Sequence, residues 1–421
     1  GEACTLTHSD LERTLEAQGR ELMRTLLQGH LDLRRPGAAA EPVRAADGVT
    51  QSRAQIQPRD LETIFGTVTV TRTGYGTEGA ASLHPLDGAL NLPLEKYSHE
   101  VRRRVAVEAA KGSFDEGVTT LAAYTGAHVP KRQFEELVVR AAEDFDAFYE
   151  IRHACAEADL DTGPILVLTV DGKGVVMRPE DLREATRRAA STRADTVTAR
   201  LGGGRRPHAK RMACVAAVYT ITPFVRTPDA IFPSGARPVE PQTRPRPQHK
   251  RVWASLEQTP DEVITAMFDE AEHRDPRHQK TWVALVDGDK TQIRILRREA
   301  RTRCIPLQIV VDVIHVAGYV WKAGLAFHAP DSQALDAWVR TRLLEILRGH
   351  ASRVAGGMRR SATRRSLPAA DRKPVDACAG YLVTYAPYLT YHTALAAGLP
   401  IARGLIEGAC RSLVDDRMGL T

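Results

Sequence analysis

The chain has no Cys-x-x-Cys pair: its six cysteines, Cys4, Cys155, Cys214, Cys304, Cys378 and Cys410, are scattered. That spacing argues against a disulfide framework and a structural zinc site, and it fits a reducing cytoplasm. No apolar run approaches the ~18 residues that a bilayer span needs. The start, GEACTL, lacks both a basic-then-apolar signal pattern and an initiator Met. It therefore reads as a fragment or a processed chain. No GxxxxGK loop followed by Ser or Thr is present, which argues against an ATP-driven recombinase. There is no repeat of fixed period. Against these absences stand 421 residues, 43% of them hydrophobic, enough for two or three domains with a substantial core. The net charge of +6 and pI of about 9.0 favour a polyanionic partner, although many basic proteins bind no nucleic acid.

Texture divides the chain into three parts. Residues 1–58 hold an N-terminal helix and a linker. Leu11, Leu15, Leu22, Leu26 and Leu27 fall at helical spacing, with Ser9 or Asp10 as N-cap. The stretch 36–58, rich in Ala, Pro, Gly and charge, reads as the linker. Residues 59–160 begin with the alternating, β-branched ETIFGTVTVTRTGYG, a strand or hairpin edge. Helical pattern follows over 97–157, broken near Gly112 and Gly126. Residues 161–421 read as an α/β domain. Strands are expected at 164–171 and 212–222, a mobile Pro- and Arg-rich loop at 232–250, and a helix at 260–273. Further strands precede Asp287 and Asp312. From about 331 onward the pattern is helical, with a basic break at 348–373.

Within the second part, SFDEGVTTLAAYTGAHVPKRQFEELV reads as helix, Gly-containing turn, helix. Val118, Leu121 and Ala122 should face inward, Gly126 should allow a tight turn, and Val129 should bury. Lys131, Arg132 and Gln133 would open the second helix. A DNA-binding helix-turn-helix sets that position in the major groove, where Arg and Gln read base edges. The competing reading is an ordinary helical hairpin. Arg102, Arg103 and Arg104 add positive charge nearby, or form a solvated face.

Three segments place an acidic residue where a metal-dependent nuclease needs one. ILVLTVDGKG ends its apolar run at Asp171, TWVALVDGDK ends at Asp287, and GLPIARGLIEGACR carries Glu407 in a helical context. Two strand-end carboxylates and a helical one can hold two Mg²⁺ (or Mn²⁺) ions about 3.5–4 Å apart. Each has a plainer alternative: Asp-Gly after a strand is a common turn, and Glu407 alone is an ordinary helix residue. IVVDVIHVAGYVWKAG adds Asp312, which reads as the N-cap of a helix starting near Val313, with His315 in its first turn. Either Asp287 or Asp312 could be the second metal ligand. Basic segments at 202–211 (with Arg205, Arg206, Lys210 and Arg211), 244–251 and 358–365 could grip phosphates, or bind nothing.

The order VDGKG, VDGDK, VVDVIHVAGYVWKA, PIARGLIEGACR resembles DDE transposases of bacterial insertion sequences. The nearest group is the Kra-type, related to the Mutator-like branch. The resemblance runs from about Asp60 to the C-terminus. It implies an α/β fold: an RNase H-like mixed sheet with a helical insertion at about 331–395, preceded by a helix-turn-helix-like α-helical region. It further implies Mg²⁺- or Mn²⁺-dependent cleavage and strand transfer on double-stranded DNA, both transposon ends and target. It implies a homo-oligomer on DNA, no membrane, and a bacterial cytoplasmic, nucleoid-associated location. Asp171 resembles the first catalytic Asp, Asp287 the second and Glu407 the final Glu. Asp312 and His315 resemble an accessory Asp-x-x-His motif. Two departures stand out. Relatives often carry paired Cys after the Tyr matching Tyr75, and here GYGTEGAAS has none, so no zinc is expected. Relatives also continue beyond DDRMGLT, so an inactive, truncated copy that only binds DNA is one alternative. An RNase H-like nuclease without transposition is the other.

Overall fold

In a computed structural model of the chain, the described residues are 6–39, 42–45, 48–51, 53–77, 82–155, 162–191, 210–232, 243–415 and 418. Arg205 and Arg206, and most of the 202–211 segment, lie outside them. Two compact units divide the chain, Gly1–Glu150 and Ile151–Thr421. Among the described residues no helix is long and apolar enough to cross a membrane.

The first unit opens with α1 (His8–Leu33), capped by Thr7 rather than by Ser9 or Asp10. β1 (Arg53–Thr63) and β2 (Gly66–Gly76) form an antiparallel hairpin, followed by the short α2 (Pro85–Ala89). β1 begins inside the expected linker. Its first residues, Arg53 to Pro58, are largely exposed and pair with Thr71–Gly76 through the backbone, so no apolar pattern announces them. Leu61, Val68, Val70 and Leu86 bury together, with Leu27 and Leu31 of α1 packed on them.

α3 (His99–Lys111), α4 (Phe114–Tyr124), α5 (Lys131–Ala141) and α6 (Phe145–Cys155) follow. Ser113 and Glu116 form a reciprocal capping box at the start of α4. Leu121 and Val129 are buried and Val118 is half-buried, as the spacing predicts, but Ala122 is exposed. Gly117 takes the inward position instead, because a Cβ there would lie 2.6 Å from the Phe134 ring. Gly126 is also needed for a different reason than turn geometry. Its N–H donates to the Ile64 carbonyl at 2.7 Å, and a Cβ would meet the Phe65 backbone at 2.5 Å. Gly126→Ala should therefore push the hairpin turn off the α4–α5 connection. We expect a loss of about 1–3 kcal/mol by denaturant unfolding, the usual range for overpacking. Wild-type stability would show that the two segments separate freely.

The second unit is mixed α/β. Its strands are β3 (Ile165–Val176), β4 (Lys210–Ile221), β5 (Gln248–Ser255), β6 (Thr281–Val286) and β7 (Leu307–Val311). They form one mixed sheet in the order β5-β4-β3-β6-β7. β3–β4 and β4–β5 are antiparallel, while β3–β6 and β6–β7 are parallel. Between the first and second strands lies α7 (Glu184–Ser191), and after β4 the single turn α8 (Pro228–Ile231). α9 (Pro260–Arg274) precedes β6, and α10 (Lys290–Thr302) joins β6 to β7. α11 (Val313–Gly324), α12 (Gln333–Leu347), α13 (Ala351–Arg364), α14 (Ala369–Thr384), α15 (Tyr391–Ala396) and α16 (Gly404–Ala409) complete the unit.

The alternation of β4 sorts the two faces. Cys214, Ala216 and Val218 join the core that holds Val263, Ile264, Met267 and Phe268 of α9. Ala213, Val215 and Ala217 point the other way, into a cluster with Ile406, Ala409 and Cys410. The helix carrying Glu407 thus covers the face opposite α9.

Two expectations change here. The loop expected to run to residue 250 gives way to β5 at Gln248. This edge strand is mostly polar, as edges tend to be. Arg251, expected among the phosphate-gripping residues, instead pairs with the buried carboxylate of Glu270, which Arg274 also holds. The basic break expected at 348–373 is largely helix: α13 spans 351–364. Its arginines lie outward while Val354, Ala355, Met358 and Ala362 are buried, so charge and helix coexist.

A candidate carboxylate site across three neighbouring strands

Asp171 does not end its strand. β3 continues to Val176 in partnership with β4, and Asp171 pairs with Val215. What ends is the neighbour: the last β3–β6 couple is Thr169↔Leu285. Asp171 and Asp287 each stand two residues beyond it. The last β6–β7 couple is Val286↔Val311, and Asp287 and Asp312 each follow it by one. The Asp312 N–H continues the ladder to the Val286 carbonyl at 2.8 Å. Three carboxylates therefore sit at one level across neighbouring strands, whose backbones are about 4.8 Å apart in a sheet.

Their surroundings differ. Asp171 is half-buried, and its Oδ1 accepts from the Gly172 N–H at 2.8 Å. Asp287 is half-buried, and its Oδ1 accepts from the Asp289 N–H at 2.9 Å. No hairpin turn forms at Asp287-Gly288, since the chain enters α10 and the next strand runs parallel, but Gly288 has φ +98° and a Cβ there would strike the Tyr381 hydroxyl. Tyr381 donates to the Asp287 carbonyl at 2.6 Å, and Tyr385 donates to the Gly288 carbonyl. Burial pushes the Tyr381 hydroxyl well above its ordinary range, with Tyr385 and Asp287 adding to the shift, so it remains a donor. Asp312 is 1% exposed and caps α11 by accepting from the Ile314 N–H at 3.0 Å. His315 is exposed, edge-on to Tyr319 at 5.5 Å and 5.9 Å from the Tyr381 ring.

Arg403 ties two of these carboxylates together. Its side chain is 5% exposed, with Nη1 3.6 Å from Asp171 Oδ1 and Nε 3.5 Å from Asp312 Oδ2. Nη1 also donates to the Val170 carbonyl at 3.2 Å. One guanidinium thus faces two carboxyl groups.

Glu407 lies on α16, exposed, one helical turn before Cys410. The Cys410 thiol is the bridge: it donates to Asp171 Oδ2 at 3.7 Å. Burial first, then the charge of Asp171, push that thiol up to about 12, so it stays protonated. Residues i and i+3 are neighbours on a helix surface. Cys410 itself lies just past the end of α16 and is buried, whereas Glu407 is exposed, so the two are close along the chain and differ in burial. Lys173 pairs with Asp415 at 2.7 Å, and that bond raises its ammonium above the ordinary range.

These are hard oxygen donors of the kind Mg²⁺ or Mn²⁺ takes. Among the described residues, Asp171, Asp287 and Glu407 meet no cation but Arg403, so their chemistry fits such an ion. Among the described residues, no three His, Cys, Asp or Glu side chains are already gathered as a metal centre.

Of the expected DNA-contacting residues, Lys131 and Arg132 are exposed and Gln133 is half-buried at the start of α5. All three meet carboxylates: Lys131 pairs with Asp115 at 2.8 Å, and Arg132 and Gln133 both engage Glu136. The connection from α4 runs over residues 125–130, longer than the 3–4-residue turn of a helix-turn-helix. Arg103 and Arg104 pair with Glu100, and Arg102 with Glu95. Lys210 is exposed and Arg211 half-buried at the start of β4. No family model and no curated protein matches this chain.

Three site residues escaped the sequence reading. Arg403 lies within the quoted PIARGLIEGACR segment. A cation four residues before a helical carboxylate gives no hint that it turns inward. Cys410 and Tyr381 needed the fold, because their partners are distant in sequence.

Proposed function

We propose that this chain is a DDE-type transposase, cutting DNA strands and joining their ends with divalent metal on an RNase H-like core. One observation carries the reading most: Asp171, on the first strand of the sheet in chain order, is met by Cys410, the residue just past the Glu407 helix, across 239 residues of sequence. The sheet order supports it further. Asp287 follows the fourth strand in chain order, where the resemblance puts the second catalytic Asp. Helices α12 to α15 fill the interval before Glu407, where it puts an insertion.

Asp171, Asp287 and Glu407 would hold the ions. Bound Mg²⁺ or Mn²⁺ would supply an activated water or 3′-hydroxyl and charge stabilisation at the leaving oxygen. Tyr381 and Tyr385 hold the Asp287–Gly288 loop by its carbonyls. Arg403 fixes Asp171 against Asp312 and removes part of their mutual repulsion. Asp312 acts as cap and anchor.

Incubation with supercoiled plasmid carrying the DNA that flanks the gene tests this. Nicking should need Mg²⁺ or Mn²⁺, stop with chelator, and yield joined products. Metal-dependent nicking without joining would make the chain a nuclease. No metal-dependent cleavage would overturn the reading.

A further inference from the structure

The helix α10 leaves the candidate site directly, three residues after Asp287. Its sequence, KTQIRILRREART, buries Ile293, Ile295, Leu296 and Ala300. The cations are divided by partner. Arg298 pairs with Asp261 and Glu299, and Arg303, just past the helix, pairs with Asp269, Glu272 and Glu299. Lys290, Arg294, Arg297 and Arg301 are exposed and meet no carboxylate among the described residues. Their spacing of 4, 3 and 4 puts them on one stripe. At 1.5 Å of rise per residue the stripe is about 16 Å long.

The stripe lines a cleft. Lys290, Arg294, Arg297 and Arg301 form one wall, and Thr384, Tyr385 and Tyr388 at the end of α14 form the other, around ≈ 320 Å³. Arg297 and Arg301 also line an adjoining cleft of ≈ 610 Å³. The head of the groove is fastened to the site, since Tyr385 donates to the Gly288 carbonyl.

Four cations in a row with no carboxylate partner among the described residues repel one another by about 0.2–0.5 kcal/mol per neighbouring pair, and a polyanion laid along them removes that repulsion. Phosphates of one duplex strand advance 3.4 Å along the helix axis but lie roughly 6–7 Å apart in space, so a ~16 Å stripe faces about three of them. Tyr388, half-buried in the wall, adds a hydroxyl that Arg297 reaches at 3.4 Å. We propose that this groove carries the phosphodiester backbone of one DNA strand along α10 and delivers it to the level of Asp171 and Asp287. The delivery step rests on reading those carboxylates as the cutting site; the binding step does not. An acidic protein segment is the competing occupant, and comparison with polyglutamate separates it from DNA.

The test uses the full chain, chelator, and a fluorescent duplex of unrelated sequence in an anisotropy titration. Salt is varied between about 50 and 200 mM. Each lost phosphate contact should lower the slope of log K against log salt by about 0.9. Arg294→Gln with Arg301→Gln should therefore lose about 1.8 from the slope, as should Lys290→Gln with Arg297→Gln. Arg298→Gln should leave the slope unchanged. Exposed positions leave folding intact, which thermal melting would verify. An unchanged slope in both double variants would overturn the track. So would a wild-type chain that prefers polyglutamate to DNA. Asp171→Asn should bind with the full slope whether or not the wild type cuts. Failure of cleavage and failure of the groove are thereby separate results.

Discussion

Asp171→Asn should fold as the wild type does and lose metal-dependent cleavage by at least about a thousand-fold. Metal ions supply several kcal/mol of transition-state stabilisation, and about 1.4 kcal/mol is tenfold in rate. The fold should survive because Asn keeps an oxygen for the Gly172 N–H, and only the weak 3.7 Å bond from the Cys410 thiol to the second oxygen is lost. Asp287→Asn should be equally inactive. Asp312→Asn should keep measurable activity, since its carboxylate is spent on capping α11 and meeting Arg403. Gel assays on nicked plasmid with each variant decide this. A dead, well-folded Asp312→Asn beside an active Asp287→Asn would move the second catalytic position to Asp312. An Asp171→Asn protein that cuts normally would remove the site altogether.

Arg403→Met should cost about 3–5 kcal/mol, because it leaves the Asp312 carboxyl, 1% exposed, without its cation. The loss is measured by denaturant unfolding of the intact chain. Asp312→Asn should cost less, since Asn still caps the helix and Arg403 keeps the Val170 carbonyl and Asp171. The double variant Arg403→Met with Asp312→Asn should fall short of the sum of the two, because the partners are in contact. If Arg403→Met unfolds within about 1 kcal/mol of wild type, the buried pair contributes little, and Arg403 is held by the Val170 carbonyl alone.

The strands that carry the candidate site were legible because they are buried on both faces. Ile165–Val170, broken only by Thr169, and Trp282–Val286 are apolar runs, and no helix period fits them. The Asp312 cap was legible too, since capping is local. β5 was not, because Gln248–Ser255 owes its place to backbone pairing with β4 and to Arg251 meeting Glu270. The α10 stripe was visible in principle as cations at 290, 294, 297 and 301. A sequence cannot say which arginines on a helix are already paired, and that division alone separates the stripe from Arg298. The position of Asp171 inside β3 was hidden for a related reason. The apolar run stops where β6 stops, not where β3 does.

The hydroxyl of Tyr381 and that of Tyr385 hold the main chain at Asp287 and Gly288, and both tyrosines belong to the α14 region. The loop that presents Asp287 therefore cannot open while that helix stays docked. Local opening of a protein follows cooperative blocks rather than single loops. Here the block joins the end of β6 to a segment almost a hundred residues later. The lifetime of the Asp287 geometry is then the lifetime of helical docking. A change at the buried face of α14, far from any carboxylate, reaches the site as a change in how often it exists.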